Sequence, residues 1–236
     1  MHKRSLFIGV GCNSAIAQST LGMLSNYDSS LLLSRQKGTC RLGSKVINLT
    51  TCNATKFNDL EKVIIDSNLP LKTDLDEVNI VSFLGTKDPG ALINLRGEQI
   101  DEVITTNFSL NAYLSSILIS RYRGISMSFV FISSSGALAG DSGVTLYSAT
   151  KHALNGLSRG IALEYGKYGV NANVLALGVV EIGLSKNVPE KRINEMISRT
   201  ANRKKVDTAN IASSINFLLR NKDVNGFTMA CDAGYF

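Results

Sequence analysis

The sequence predicts an α/β fold: a single domain, residues 1–236, built on a doubly wound parallel sheet of about seven strands with helices on both faces. Three observations predict it. Short apolar runs alternate with amphipathic, helix-periodic stretches, the pattern of parallel strands buried on both faces. The first apolar run stops at glycines and small residues and leads straight into a helical pattern, IGVGCNSAIA at 8–17. No repeat, low-complexity segment or linker divides the chain, and its length suffices for one large core.

The elements follow in order. LFIGV at 6–10 is an apolar run closed by glycine, hence a first strand, and a helical pattern runs from there to Leu24. SLLLS at 30–34 and KVINL at 45–49 read as the second and third strands. FNDLEKVIIDS puts Leu60, Val63 and Ile64 on one helical face. NIVSFLG at 79–85 is the fourth strand, and residues 98–122 form a long apolar-periodic helix. SFVFISS at 128–134 is the fifth strand, a second long helix spans about Thr145 to Lys167, and NANVLAL at 171–177 is the sixth strand. A helix near 208–220 precedes a short last strand, GFTMACD. Residues 178–206 break the rhythm, first Gly-rich, then polar and basic. An insertion this long between a core strand and the next helix is expected to be a substrate-binding loop or lid.

Composition narrows the function classes. The net charge is +6, but the basic residues are dispersed apart from clusters such as Arg203-Lys204-Lys205, and no aromatic-and-basic module accompanies them. Nucleic acid is therefore not an expected partner; a solvated basic surface, or an acidic ligand or protein, accounts for the charge. The four cysteines (Cys12, Cys40, Cys52, Cys231) have no C-x-x-C spacing, so free thiols are expected and no metal. No apolar stretch approaches the roughly eighteen residues of a membrane span. The apolar run in MHKRSLFIGVG is too short for a secretory leader, and the expected location is cytoplasmic.

The strongest local chemistry is Tyr147-Ser-Ala-Thr-Lys151. Residues four apart on a helix share a face, which brings an ammonium near a phenol. A phenol with a pKa near ~10 is a poor base at neutral pH, and a neighbouring cation favours the phenolate. Lowering it three units needs roughly 4 kcal/mol of differential stabilisation. A tyrosine tuned this way exchanges a proton with a carbonyl oxygen becoming an alcohol; the ordinary alternative is an exposed Tyr–Lys pair on a helix surface. Thirteen residues before Tyr147, at the end of an apolar strand, stands Ser134, with Ser135 and Gly136 after it. The carboxyl end of a central strand is the ligand-facing edge of such a sheet, and a hydroxyl there can bond an oxygen gaining charge. Ser and Gly also simply favour turns. Asn107 lies inside an otherwise apolar helix and, if buried, needs partners: it is either a packing or kink residue, or an anchor for water leading to Lys151.

With these residues in place, the chain resembles the short-chain dehydrogenase/reductase family, a Rossmann-like fold, over nearly its whole length. Asn107, Ser134, Tyr147 and Lys151 match that family's catalytic tetrad in order and spacing. VNANVLALG at 170–178, Arg199-Thr-Ala-Asn-Arg203 with Ile211-Ala212, Asn225-Gly226, and Asp232-Ala-Gly234 resemble its C-terminal segments, most closely those of 3-oxoacyl-carrier-protein reductases. The resemblance implies that Tyr147 is the acid/base and Ser134 orients the carbonyl. Lys151 would bind the nicotinamide ribose and tune the tyrosine, and Asn107 would hold a relay water. Substrate contacts would add Ser135 and Gly136. It also implies a homodimer or homotetramer through the 98–122 and 145–167 helices and the last strand.

The family's glycine loop, Thr-Gly-x-x-x-Gly-x-Gly, falls on Val10, Gly11, Ala15 and Ala17. Gly11 survives, where a tight turn needs it. Alanine does not take positive φ cheaply, so the loop works only if Ala15 is already helical; a helix start then still offers amides to phosphate. The enoyl-thioester reductase branch has a similar loop, resembling Gly9-Val10 and Ala15-Ile16-Ala17, but its tyrosine stands seven before the lysine, where this chain has Val144. The spacing here fits carbonyl reduction. The implied cofactor contacts are Gly11, Asn13, Ser14, Ala15, Ile16, Arg35, Asn48, Leu49, Leu84, Gly85, Tyr147, Lys151, Gly178, Val180 and Ile182. Asn48 stands where relatives carry an aspartate on the adenine. The second strand ends Leu33-Ser34-Arg35 with no acid to grip a ribose diol, which favours NADP(H) over NAD(H). Departures occur at Ser82-Phe83-Leu84-Gly85, Leu177 and Ile182, where the family has Asn-Asn-Ala-Gly, Pro and Thr.

The expected function is an NADPH-dependent reductase of a ketone carbonyl, foremost a 3-oxoacyl thioester carried on an acidic acyl carrier protein, with Arg121, Arg123 and Lys167 as candidate carrier contacts. The alternatives are a dehydrogenase of a sugar, polyol or other small alcohol, and a catalytically weak nucleotide-binding scaffold.

Overall fold

The computed structural model describes residues 3–52, 57–87, 90–185 and 188–235. The elements are β1 (Ser5–Val10), α1 (Ala15–Thr20), β2 (Ser29–Ser34), β3 (Thr39–Leu42), β4 (Lys45–Asn48), β5 (Thr50–Thr51), α2 (Phe57–Asp66), β6 (Glu77–Ser82), α3 (Gly97–Ile104), α4 (Leu110–Tyr122), β7 (Ser126–Ser134), α5 (Ser135–Ala139), α6 (Thr145–Tyr165), β8 (Val170–Leu177), α7 (Glu190–Ser198), α8 (Thr208–Arg220) and β9 (Thr228–Cys231).

Seven strands form one parallel sheet in the order β5-β2-β1-β6-β7-β8-β9. Alternation along each strand sorts the core into two layers. In β1, Leu6, Ile8 and Val10 face one layer, where α2, α4 and α6 supply Leu60, Leu114, Leu154 and their neighbours. Phe7 faces the other, where α1 and α8 supply Ala17, Ile211 and Ile215. Helices on both faces make the sheet doubly wound, as the sequence predicts. Its order reverses at β1, so the carboxyl ends of β1 and β6 open the crevice where ligands sit in such sheets.

Two elements differ from expectation. KVINL is not the third strand of the sheet: Lys45–Asn48 pairs antiparallel with Thr39–Leu42 in a separate hairpin, and the sheet edge is Thr50–Thr51, beside Leu33 and Ser34. The apolar run at 45–49 marks extended chain, but only pairing decides which sheet it joins. The long helix over 98–122 is interrupted at Thr105–Ser109 by a π turn, which contains Asn107. Such bulges recur at functional sites.

The carboxyl end of β8 is fixed by close approach. Gly178 donates its N–H to the Cys231 carbonyl at 3.0 Å, and a Cβ on Gly178 would stand 2.6 Å from the Asp232 Cα. The Asp232 Cα and carbonyl oxygen that it would meet are backbone and cannot step aside. Gly178→Ala is expected to cost about 2–3 kcal/mol, read as a lower urea midpoint at unchanged slope; an unshifted midpoint would show that the two backbones separate freely.

Candidate active site

A cavity of about 470 Å³ opens at the carboxyl ends of the central strands, bordered by Gly11, Arg35, Leu84, Ser134, Tyr147 and Gly178 among others. It brings together most residues that the sequence nominates: Asn13, Ser14, Ala15, Ile16, Gly85, Ser135, Gly136, Lys151, Val180 and Ile182 also line it.

The loop after β1 answers the question posed by its alanines. Gly11 takes φ +77° and packs against the Phe83–Leu84 backbone, where a Cβ would stand 3.1 Å from the Phe83 carbonyl carbon. Its N–H and that of Cys12 both donate to the Leu33 carbonyl at 3.0 Å, tying the loop to the end of β2. Ser14 caps α1, accepting from the Ala17 N–H at 3.2 Å, and Ala15 is the first helical residue. Ala15 and Ala17 need no positive φ, so only the first glycine of the loop is conformationally required.

β7 delivers Ser134 to the cavity. Its hydroxyl oxygen accepts from the Gly136 N–H at 3.3 Å, which leaves its own hydrogen to donate. Ser133 donates to the Lys151 carbonyl at 3.0 Å and so fastens β7 to α6. Tyr147, half-buried, lies in the first turn of α6 and Lys151 one turn later. The Lys151 ammonium donates to the Leu84 carbonyl at 2.6 Å and to the Ile132 carbonyl at 2.7 Å. Only 3% of the residue is exposed, and burial pushes its pKa down from 10.5 to about 7.

Asn107 is fully buried and does not border the cavity. Its amide nitrogen donates to Thr150 Oγ1 at 2.9 Å and the Thr86 carbonyl at 3.0 Å; its amide oxygen accepts from the Thr86 N–H at 2.8 Å. Thr150 in turn donates to the Tyr147 carbonyl at 2.8 Å. The side chain therefore clamps the segment after β6 to the turn of α6 that carries Tyr147 and Lys151. Its main-chain carbonyl accepts from Asn111 Nδ2 at 2.9 Å.

Other nominated residues lie elsewhere. Asn48 is exposed on the hairpin and pairs with Thr39, and Leu49 is buried in the α1–α8 layer; neither borders the cavity. The hairpin inserted before the sheet edge displaces them, and the chain rejoins β2 at Cys52, whose N–H donates to the Ser34 carbonyl at 2.7 Å. Arg121, Arg123 and Lys167 are also corrected. They precede the amino ends of β7 and β8, whereas Ser134 ends β7. Nine residues of strand at about 3.3 Å each separate the two ends by roughly 26 Å. Arg121 donates to the Leu69 carbonyl at 3.1 Å, and Lys167 lies over the Tyr168 ring.

The 178–206 segment, of which Lys186 and Asn187 lie outside the described residues, contributes Gly178, Val180, Ile182, Leu184, Arg192 and Met196 to the cavity wall. Lys87, Asp141 and Arg192 were not nominated from sequence. Arg192 donates to Asp141 Oδ1 at 2.6 Å across 51 residues, a separation that no local pattern signals.

A family model described as Enoyl-(Acyl carrier protein) reductase matches residues 9–236. The chain is 28% identical over 138 residues to 3-oxoacyl-(acyl-carrier-protein) reductase FabG of Buchnera aphidicola subsp. Baizongia pistaciae, an alignment covering 58% of this chain and 56% of that protein. The chain thus spans little more than half the length of that relative. It is 27% identical over 191 residues to a human 3-oxoacyl-(acyl-carrier-protein) reductase, covering 78% of this chain and 76% of that one. Among solved structures it is similar to a short chain dehydrogenase family protein from Francisella tularensis subsp. tularensis SCHU S4, with TM-score 0.81, 20% identity and 98% of each chain covered. Among the described residues no helix is long and apolar enough to cross a membrane.

Proposed function

The chain belongs to the short-chain dehydrogenase/reductase family, and from that membership we propose that it is an NADPH-dependent reductase of a ketone carbonyl, foremost a 3-oxoacyl thioester. The observation that carries the reading is the meeting of Ser134, Tyr147 and Lys151 with the Gly11 loop around one cavity. The names of the two reductase relatives support the acyl substrate.

The residues present fit a dinucleotide. The cavity extends from Arg35 past the Gly11 loop to Lys151 and Tyr147. A Cβ on Gly85 would stand 3.1 Å from the Lys151 ammonium, so glycine keeps that wall open. Arg35 would face a 2′-phosphate, the loop residues 13–16 the pyrophosphate, and Gly178, Val180 and Ile182 the nicotinamide. A bound reduced nicotinamide supplies hydride to the carbonyl carbon. Ser134 donates a hydrogen bond to the carbonyl oxygen and holds it toward Tyr147. Tyr147 transfers its phenolic proton to that oxygen, giving the alcohol, and regains a proton from solvent. Lys151 stabilises the phenolate that remains. Asn107 is a positioning residue: it sets the backbone on which Tyr147 and Lys151 stand.

The test follows reduced-cofactor absorbance with an acetoacetyl thioester. NADPH is expected to outperform NADH at least tenfold in kcat/KM, and Arg35→Asp to move that ratio at least tenfold toward NADH, through loss of a charge-assisted phosphate contact. Equal use of both cofactors by the unmodified protein would remove the role of Arg35. Absent turnover together with absent cofactor binding by calorimetry would overturn the enzymatic reading.

A further inference from the structure

The cavity wall beside Ser134 holds more positive charge than its own acid neutralises. Asp141 is its buried carboxylate, with a side chain only 10% exposed. A Cβ on Gly136 would stand 3.4 Å from the Asp141 Cβ and 3.6 Å from Ser134 Oγ, so the carboxylate and the catalytic hydroxyl share one wall. Asp141 Oδ1 accepts from Arg192 Nη2 at 2.6 Å and stands 3.7 Å from Arg199 Nη1. Lys87, in the segment after β6, also borders the cavity and is half-buried. Burial lowers the pKa of its ammonium and the charge of Asp141 raises it. Among the described residues Lys87 makes no hydrogen bond or ion pair of its own. Glu195 meets Arg192 at 3.4 Å, but with a side chain half exposed to solvent, where an ion pair neutralises little.

Two cations of the cavity wall, Arg192 and Lys87, therefore share one buried carboxylate. In a partly desolvated wall an unmatched cation is costly, and an incoming anion is correspondingly favoured. We propose that Lys87 and Arg192 form an anion subsite of the substrate pocket, and that the acyl chain of the substrate carries a carboxylate which they bind. The inference rests on the carbonyl-reductase reading and narrows its substrate class. A thioester end attached to a carrier must lead out to solvent, which leaves the acyl chain to the inner wall. There the half-buried Val188 and Met196 suit a short apolar spacer before the charged end. Asp141 holds the Arg192 guanidinium in orientation while its remaining N–H groups stay available to an oxyanion.

The experiment compares two 3-oxoacyl esters of nearly equal shape, monomethyl 3-oxoadipate (ester at C1, carboxylate at C6) and its neutral dimethyl ester. With NADPH, kcat/KM is expected to favour the monoanion at least tenfold. Lys87→Met and Arg192→Gln are each expected to lower that ratio about tenfold, the scale of one charge-assisted hydrogen bond. Lys87→Arg, which keeps the charge, retains the preference. Turnover of both esters at equal efficiency, or a ratio unmoved by both charge-removing variants, overturns the subsite and leaves the reductase reading standing. If neither ester is turned over, turnover of the acetoacetyl thioester decides the reductase reading. Calorimetric binding then decides the subsite alone: tighter binding of the monoanion, lost in Lys87→Met, sustains it, and equal binding of the two esters overturns it.

Discussion

Tyr147→Phe lowers kcat/KM for ketone reduction by roughly 10²- to 10⁴-fold, the usual worth of a positioned general acid, while cofactor affinity stays within a few-fold. The reasoning is geometric. Tyr147 and Ser134 border the same cavity from α6 and β7, and those elements are fastened together by the Ser133 bond to the Lys151 carbonyl. Phenylalanine preserves the ring and its packing and removes only the oxygen that carries the proton. A loss in kcat that persists at saturating substrate, with unchanged calorimetric cofactor binding, is the expected pattern, because a group used only in the transition state contributes little to ground-state binding. Turnover that survives the substitution refutes the acid/base assignment.

Lys151→Met is the second large effect, with two independent readouts. Activity is expected to fall by at least about 10²-fold, because the cation that stabilises phenolate is gone. Stability then reports the same side chain through pH. Burial lowers the folded-state pKa of Lys151 from 10.5 to about 7. Below pH 7 the lysine is charged in both states, and the folded protein bears the full cost of a buried ammonium. Between pH 7 and 10.5 the unfolded chain still binds the proton and the folded chain does not, so stability rises with pH. Across pH 7 to 9 the lysine should add about 2 kcal/mol to the folded state of the cofactor-free protein. The buried cysteines and Tyr27, whose pKa values burial raises, act in the opposite direction but are common to both proteins. The difference between wild type and Lys151→Met in urea denaturation therefore isolates Lys151. An identical difference at pH 7 and pH 9 would show that its ammonium is not desolvated. Methionine also leaves the Leu84 and Ile132 carbonyls without their donor, at about 1–3 kcal/mol each, which sets the baseline but not the pH dependence.

The parts legible in the sequence are those fixed by short-range periodicity. A Tyr and a Lys four residues apart on a helix must share a face, and a Ser closing an apolar strand must stand at a sheet end. The Ala15 question was half legible: the sequence states that a glycine is missing, whereas the φ angles state that none is needed, because the helix has already begun.

What the sequence by itself determined is the class of sheet, the shared helix face of Tyr147 and Lys151, and the place of Ser134 at a strand end; each follows from periodicity within a few residues, and resemblance to a known tetrad singled these three out. The tertiary structure alone decided that the strand pattern at 45–48 belongs to a side hairpin, which moved Asn48 and Leu49 away from the site. It also decided that Arg121, Arg123 and Lys167 lie at the far end of the sheet, and that Lys87, Asp141 and Arg192 gather beside Ser134. Extended segments and scattered charges carry no local mark of their partners. Which strand a segment pairs with, and which charges meet across some fifty residues, is settled only when the whole core packs.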